Sequence, residues 1–390
     1  MDYILFFSSI FLLSFLLGEI FNKYLKLPKL LGYMIVGIAI KNFFSFDDFL
    51  TTEIVDFITS FALSVILLKA GLGIEKAVID KIGYRVILLG TIPNLLEGLI
   101  VAALSYYLLD FELFTALMFG FIISAVSPAV VIPSMAKLLD EGYEKEIPTL
   151  SLASTSLDDV VSLTIFSIFL SLYLGESTTM LSIISIPLKF MIGIAFGGFI
   201  GYFLGMYMTS SKNRYIRILQ FGLILLIALS FKTYGEYIFI IEMIAIMSLG
   251  YYFNDYFQKD DNYIKKYTNQ VWKFAQVFLF FTIGFLTDLS TTLDYAMIGM
   301  LIIGIGLMFR GIGVLISLYK SGYSNNQKKF TIIANIPKAT VQAALGAVPL
   351  ASGVIDGEII LSISALAILI TAPLGLIMIE IFSKKLLTKH

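Results

Sequence analysis

The chain of 390 residues contains no cysteine, and its single histidine is the final residue, His390. The absence of cysteine excludes disulfides, thiolate metal sites and cysteine nucleophiles, and one terminal histidine excludes a zinc centre built on histidine. Charged residues make up only 14% of the chain, whereas soluble domains carry about 25%. The net charge of −1 and the lack of a basic tail predict no nucleic-acid partner. No pattern calls for a cofactor, and we expect none.

Hydrophobic residues, in contrast, make up 58% of the sequence. This composition predicts an all-α polytopic membrane protein, embedded in lipid and forming a single domain over 1–390. A spanning helix must cover about 30 Å of hydrocarbon. We count thirteen such runs, the second of them short, at approximately 3–21, 28–42, 54–72, 85–109, 113–137, 148–174, 181–208, 215–231, 234–253, 271–287, 294–318, 329–350 and 357–382.

Lysine and arginine are unevenly divided between the connecting loops. Loops after odd-numbered spans carry most of them, whereas loops after even-numbered spans carry only Lys41 and Lys232. Positive charge gathers on the cytoplasmic side of a membrane. We therefore expect a cell-membrane protein with its N-terminus outside and its C-terminus in the cytoplasm.

A weak internal repeat relates the two halves of the chain. The end of span 3 (67–75) resembles the end of span 10 (281–289), and Pro128 in span 5 has a counterpart in Pro337 in span 12. Both offsets are seven spans, and an odd offset turns one copy upside down, as in many secondary transporters. The pattern predicts inverted repeats of spans 1–6 and 8–13 with span 7 as a linker. Chance similarity between glycine-containing helix ends is the alternative.

Two of the predicted spans contain prolines in polar surroundings. Span 5 carries Pro128 and Pro133, and Pro337 of span 12 lies between Asn335 and Lys338. Proline removes a helical hydrogen bond and frees backbone carbonyls, which membranes tolerate only beside protein or a water-filled cavity. Simple kinks are the alternative, but two breaks at matching repeat positions predict unwound helices whose carbonyls can bind a small cation.

Asp158 and Asp159 lie side by side within span 6. A charged side chain at the membrane centre costs about 3 kcal/mol, so two together indicate a functional site. Successive side chains on a helix point about 100° apart, and the two carboxylates cannot face one cavity equally. We interpret the pair as an ion and proton site with divided roles.

Several motifs together resemble the monovalent cation:proton antiporter superfamily, the sodium/hydrogen exchangers. They are the segments 127–131 (SPAVV), 156–159 (SLDD), 337–344 (PKATVQAA) and 30–37 (LLGYMIVG). Pro93 and Glu97 in span 4 make the NHA branch the most similar. The resemblance implies two crossed, unwound helices (spans 5 and 12), a core domain at about 54–174 and 271–382, and a dimer domain from the remaining helices. It also implies a homodimer that works by elevator-type alternating access.

The resemblance also implies roles for single residues. Asp159 matches the ion-binding carboxylate and would be the metal ligand for Na⁺ or Li⁺. Thr155, Ser127 and the backbone carbonyl of Val126 match further ligands, although many members carry aspartate where this chain has Ser127. Asp158 would be a supporting acid. Cation and proton would compete for one buried carboxylate, which gives exchange of Na⁺ or Li⁺ for H⁺, with K⁺ for H⁺ as the alternative.

Two cations lie within predicted spans beside these motifs. Arg310 is in the middle of span 11 and needs a buried carboxylate, because an unpaired guanidinium there would be too costly. Glu97 and Asp158 are the candidates, and the resemblance favours Glu97. Lys338 is expected to neutralise the carbonyl ends of broken helices, the alternative being a lysine that reaches to the membrane interface.

Two unrelated functions also fit an acidic membrane helix. An intramembrane aspartyl protease needs carboxylates that converge from two helices, whereas Asp158 and Asp159 are consecutive on one. A cation channel would be expected to show repeated filter loops or rings of acids, and the sequence shows neither. We therefore expect a transporter and not an enzyme.

Overall fold

The structure is a computed structural model that describes residues 3–43, 52–73, 83–174, 180–208, 213–235, 237–238, 240–257 and 263–389. Helices dominate these residues, as predicted. In chain order they are α1 Tyr3–Ile20, α2 Lys29–Phe43, α3 Thr52–Gly73, α4 Arg85–Leu108, α5 Leu113–Ser124, α6 Pro128–Asp140, α7 Glu146–Tyr173, α8 Met180–Tyr207, α9 Arg214–Tyr234, α10 Glu242–Tyr256, α11 Tyr263–Leu286, α12 Leu289–Asp294, α13 Ala296–Ser317, α14 Asn325–Ala334, α15 Thr340–Gly346, α16 Val348–Ala351 and α17 Gly357–Leu386.

Six helical segments of the described chain are long and apolar enough to cross a membrane: Arg85–Leu108, Leu113–Asp140, Glu146–Tyr173, Arg214–Tyr234, Ala296–Ser317 and Gly357–Leu386. Shorter apolar helices cover Phe57–Gly73, Met191–Tyr207 and Thr340–Ala351. The polytopic all-helical class is confirmed, while the count of thirteen spans and the inverted repeats stay predictions.

The chain divides into two compact units. One comprises Met1–Val55, Val78–Leu170 and Val277–His390, and the other comprises Asp56–Ala77 and Ser171–Gln276. The first unit holds both proline-containing spans and the two adjacent aspartates. The division into a core domain and a dimer domain stays a prediction.

Span 5 is broken where the sequence predicts it. Helix α5 ends at Ser124, and Ala125 and Ser127 have extended backbones before α6 begins at Pro128. Proline fits the first position of a helix because its missing N–H would have no helical partner there. Span 5 is thus two half-helices separated by an extended segment.

Span 12 is broken as well, into α14, α15 and the short α16. Residues 335–339 are not helical and carry Pro337 between the first two pieces. The amide of Ser127 donates to the carbonyl oxygen of Pro337 at 2.8 Å, which joins the break in span 5 to the break in span 12. The prediction of two unwound, crossed helices is confirmed.

Helices α4 and α5 approach closely beside this crossing. A Cβ on Gly120 would lie only 2.2 Å from the carbonyl oxygen of Gly98, so only glycine permits the contact. The close approach carries Glu97, the neighbour of Gly98, toward the end of α5.

In the second unit, α8 packs along α10 through a row of glycines. A Cβ on Gly197 would lie 2.1 Å from the carbonyl oxygen of Ala245, and one on Gly201 would lie 2.4 Å from that of Leu249. Small residues spaced by four bring two membrane helices into backbone contact, where dispersion and weak Cα–H···O contacts act over many atoms.

Candidate functional site

Five charged side chains are buried in the part of the chain that the structure describes: Glu97, Asp158, Asp159, Arg310 and Lys338. Sequence reasoning singled out all five. They come from α4, α7, α13 and the break before α15, and the ion pairs described below join four of them across the helix crossing.

Arg310 binds both of its candidate carboxylates. One guanidinium nitrogen, Nη1, donates to Glu97 Oε2 at 2.7 Å, while Nη2 donates to Asp158 Oδ1. The planar guanidinium has five donors in a fixed fork and can therefore bridge two acids. The favoured pairing with Glu97 is confirmed, while the expectation that Arg310 binds only one of the two acids is wrong, because the guanidinium binds one acid through each terminal nitrogen.

Lys338 is completely buried, so the alternative of an interfacial lysine is excluded. Its Nζ donates to the carbonyl oxygen of Ser124 at 3.1 Å and to Glu97 Oε2 at 2.7 Å. The first contact neutralises a broken-helix carbonyl, as expected. The ion pair with Glu97 was not predicted, since nothing in the sequence indicates that these residues are neighbours.

Asp158 ties α7 to the break in span 5. Its Oδ2 accepts a hydrogen bond from the amide of Val126 at 2.7 Å. Asn94 supports this contact, since its Nδ2 donates to the Asp158 carbonyl at 3.1 Å and to Ser162 Oγ at 2.6 Å. Sequence reasoning missed Asn94, although a buried amide beside Pro93 in an apolar span is a usable signal.

Side chains from α13, α15 and the second break donate to carbonyls at the end of α5 and just after it. Gln342 Nε2 donates to the carbonyl oxygens of Ile122 at 2.8 Å and Ala125 at 2.9 Å. Arg310 and Lys338 both donate to the carbonyl of Ser124. The last carbonyls of a helix carry partial negative charge and need partners, and these donors supply them. The carbonyl of Val126 is not among those occupied in this way.

The remaining candidate ligands offer oxygen atoms. Asp159 is buried on α7. One turn earlier, the Thr155 hydroxyl donates its proton to the Ser151 carbonyl at 2.7 Å, which leaves its lone pairs available. The Ser127 Oγ is buried and has no hydrogen-bond partner among the described residues. A carboxylate, hydroxyls and a free carbonyl are hard ligands of the kind that alkali cations accept.

Comparison with known proteins identifies the family of the chain. The family described as "Sodium/hydrogen exchanger, transmembrane" matches residues 10–385. Sodium/hydrogen exchanger 9B2 of Homo sapiens is 30% identical over 384 residues, covering 93% of this chain and 70% of that protein. Sodium/hydrogen exchanger 9B1 of Macaca fascicularis is 30% identical over 391 residues, covering 93% and 74%.

The fold has a solved counterpart in the sodium proton antiporter MjNhaP1 from Methanocaldococcus jannaschii. The two share a TM-score of 0.79 and 20% sequence identity over 98% of each chain, a likeness that shows the fold alone. The family match confirms the resemblance carried by the motifs and removes the protease alternative, since the relatives are transporters and not enzymes. The chain belongs to the sodium/hydrogen exchanger family.

Proposed function

We propose that the protein exchanges Na⁺, and also Li⁺, for H⁺ across the cell membrane, with Asp159 as the shared binding carboxylate. The choice of Na⁺ draws on the names of the relatives, and Li⁺ follows because it needs the same hard oxygen ligands. Asp159 would be joined by Thr155, Ser127 and the Val126 carbonyl. The only ligands that this function needs are cations, protons and the surrounding lipid, and it needs no cofactor.

The observation that carries this proposal is the balance of buried charges. Glu97 and Asp158 contribute two negative charges and are bound to Arg310 and Lys338, which contribute two positive charges. In their ionised forms these four groups cancel. Asp159 is the remaining buried acid, and a single carboxylate can take up either one Na⁺ or one proton.

This balance favours exchange over an uncoupled leak of ions across the membrane. Moving a site with an uncompensated charge through hydrocarbon costs several kcal/mol, whereas a site loaded with Na⁺ or H⁺ is neutral. The transporting domain can then cross only when it is loaded. We place this step in an elevator movement of the core domain, 54–174 and 271–382, within a homodimer. The N-terminus would face outward and the C-terminus the cytoplasm.

With Lys338 protonated throughout the cycle, the same balance corresponds to one proton per cation. Arginine does not lose its proton in proteins, and Arg310 therefore holds its charge throughout the cycle. The proton that exchanges with Na⁺ is the one on Asp159. Transport is then electroneutral and independent of the membrane potential.

The test uses purified protein in liposomes with a trapped pH dye. A Na⁺ gradient should drive proton movement in the wild type, and Asp159→Asn should abolish it, because the amide can neither bind a proton nor balance Na⁺. Asp140→Asn, at an exposed acid of α6, is the matched control and should keep full activity. Full activity of Asp159→Asn would refute the site.

Two further arms examine the cation and the charge movement. Replacing Na⁺ by K⁺ should leave the pH gradient unchanged, and robust K⁺-driven proton movement would contradict the assignment of Na⁺. Clamping the membrane potential with valinomycin and equal K⁺ should not alter the rate in Na⁺. A rate that follows the potential would contradict one-for-one exchange.

A further inference from the structure

A groove of about 450 Å³ opens in the first unit, between the connection from α1 to α2 and the last turns of α17. Its walls include Leu25, Lys26, Ile377, Ile381 and the pair Lys384 and Lys385. None of these residues belongs to the ion site. The volume falls within the range of small-molecule pockets, about 300 to 1,000 Å³.

The wall formed by α17 changes from apolar to basic along one face. Ile377 and Ile381 are one turn apart and about half exposed, at 45% and 47%. Lys384 and Lys385 follow one turn later, at the end of the helix. Residues at this spacing share a helix face. A ligand lying along this face toward the end of α17 would contact apolar side chains at one end and ammonium groups at the other.

The opposite wall repeats the same order. Leu25, which is 55% exposed, is followed directly by Lys26. Lys26 follows a π-helical turn, Phe21–Leu25, and its own backbone is left-handed, with φ 56°. This backbone conformation costs a residue other than glycine about 1 kcal/mol or more. Next to the groove, Tyr24 is 71% exposed, as is typical of tyrosine at a membrane interface.

The groove carries net positive charge. Within the described chain, neither Lys26 nor Lys384 has a carboxylate within ion-pair distance. Glu380 is the one acid that lines the groove. Its Oε1 lies 3.6 Å from the Nζ of Lys137, a residue that does not line the groove. The carbonyl end of α17 adds only about half a negative charge. An anion fits the three lysines, and both walls lie on the side of the membrane predicted to be cytoplasmic.

We propose that this groove binds an anionic phospholipid of the cytoplasmic leaflet. The headgroup phosphate would lie among Lys26, Lys384 and Lys385, and one acyl chain would follow Ile381 and Ile377 toward the membrane centre. A phospholipid carries an anionic phosphate next to apolar acyl chains, which matches the lysines and the exposed leucine and isoleucines of the lining. The lipid would hold the α1–α2 connection against the end of α17.

The experiment is a calorimetric titration of the purified full-length protein in a neutral detergent. Short-chain dioctanoyl phosphatidylglycerol should bind saturably, with one lipid per chain. Dioctanoyl phosphatidylcholine, which carries no net charge, should bind at least about tenfold more weakly, since each lysine near an anionic headgroup contributes about fivefold. Glycerol 3-phosphate, which lacks acyl chains, should not bind. Binding of glycerol 3-phosphate as tight as that of the lipid would overturn the proposal in favour of a free phosphate.

Lysine variants locate the site. Lys384→Gln should weaken binding about fivefold, and K26Q/K384Q/K385Q about a hundredfold. The matched control, K320Q/K328Q/K329Q, removes three lysines from the same predicted side but none from the groove and should bind normally. Wild-type affinity in Lys384→Gln and in the triple variant, or an equal loss in the control, would overturn the proposal. Because binding is measured without transport, its outcome is independent of the exchange function.

Discussion

Two regions of the molecule bring helices into close contact, one in each compact unit, and they use different side chains to do so. At the crossing of the broken helices, buried charges and amides hold together backbone groups that have lost their helical partners. Along α8 and α10, glycines let two intact helices touch. The crossing should therefore be sensitive to loss of a charge or a donor, and the α8–α10 contact to gain of volume.

The largest effect is expected from Arg310→Met, which tests the dependence of the crossing on charge. The change leaves Glu97 and Asp158 with only Lys338 to balance them, and removing one partner of a buried ion pair costs about 3 to 5 kcal/mol. We expect a large drop in the thermal unfolding temperature in detergent, and no exchange in liposomes.

A double variant serves as the control for this interpretation. Glu97→Gln combined with Lys338→Met removes one charge of each sign and should cost less than the two single changes added together. Simple additivity would mean that packing, and not charge compensation, stabilises the crossing.

Gly197→Ala is the corresponding challenge to the α8–α10 contact. The added Cβ would meet the Ala245 carbonyl oxygen at 2.1 Å, and overpacking of this kind costs about 1 to 3 kcal/mol. On α9, a Cβ on Gly222 meets nothing within 4 Å, so Gly222→Ala should leave the unfolding temperature unchanged or raise it slightly. Equal effects of the two changes would argue against backbone contact between α8 and α10.

Both breaks could be predicted from sequence because their signals are local. Pro128 and Pro337 remove hydrogen bonds at their own positions, whatever surrounds them. The buried charges were equally visible, since any ionised group in an apolar run is conspicuous. The hydrophobic pattern nevertheless predicts one continuous span at 329–350, whereas the structure divides this region into α14, α15 and α16.

The partners in the network could not be predicted, because they depend on which helices are neighbours. Glu97 and Lys338 are separated by 241 positions in the chain, and hydrophobic periodicity says nothing about such pairs. Gln342 lies within a recognised motif, yet its role as a cap of α5 appears only when the two breaks are side by side. Polar amides in apolar spans are the signal that would have indicated Asn94 and Gln342.

Gln342→Leu should produce an intermediate effect and tests whether uncharged donors matter at the crossing. The substitution leaves the carbonyls of Ile122 and Ala125 without their donor, at a cost of about 1 to 3 kcal/mol. Gln276→Leu is the control, since the amide of Gln276 makes only a 3.5 Å contact with the Lys273 carbonyl. We expect a lower unfolding temperature and slower exchange for Gln342→Leu alone. A normal unfolding temperature would show that charges alone sustain the crossing.

Ser127→Ala should have the smallest effect on stability and separates binding from folding at the same crossing. The Ser127 hydroxyl has no hydrogen-bond partner to lose among the described residues, so the unfolding temperature should stay within the error of the wild-type value. If the hydroxyl is a ligand, the KM for Na⁺ should rise about tenfold, as expected for one lost contact with a charged group, while the maximal rate changes little. If Asp159 binds either Na⁺ or a proton, as proposed, lowering the pH should raise the KM for Na⁺ in both proteins. An unchanged KM in Ser127→Ala would remove this hydroxyl from the proposed ligands, which would then be Asp159, Thr155 and the Val126 carbonyl.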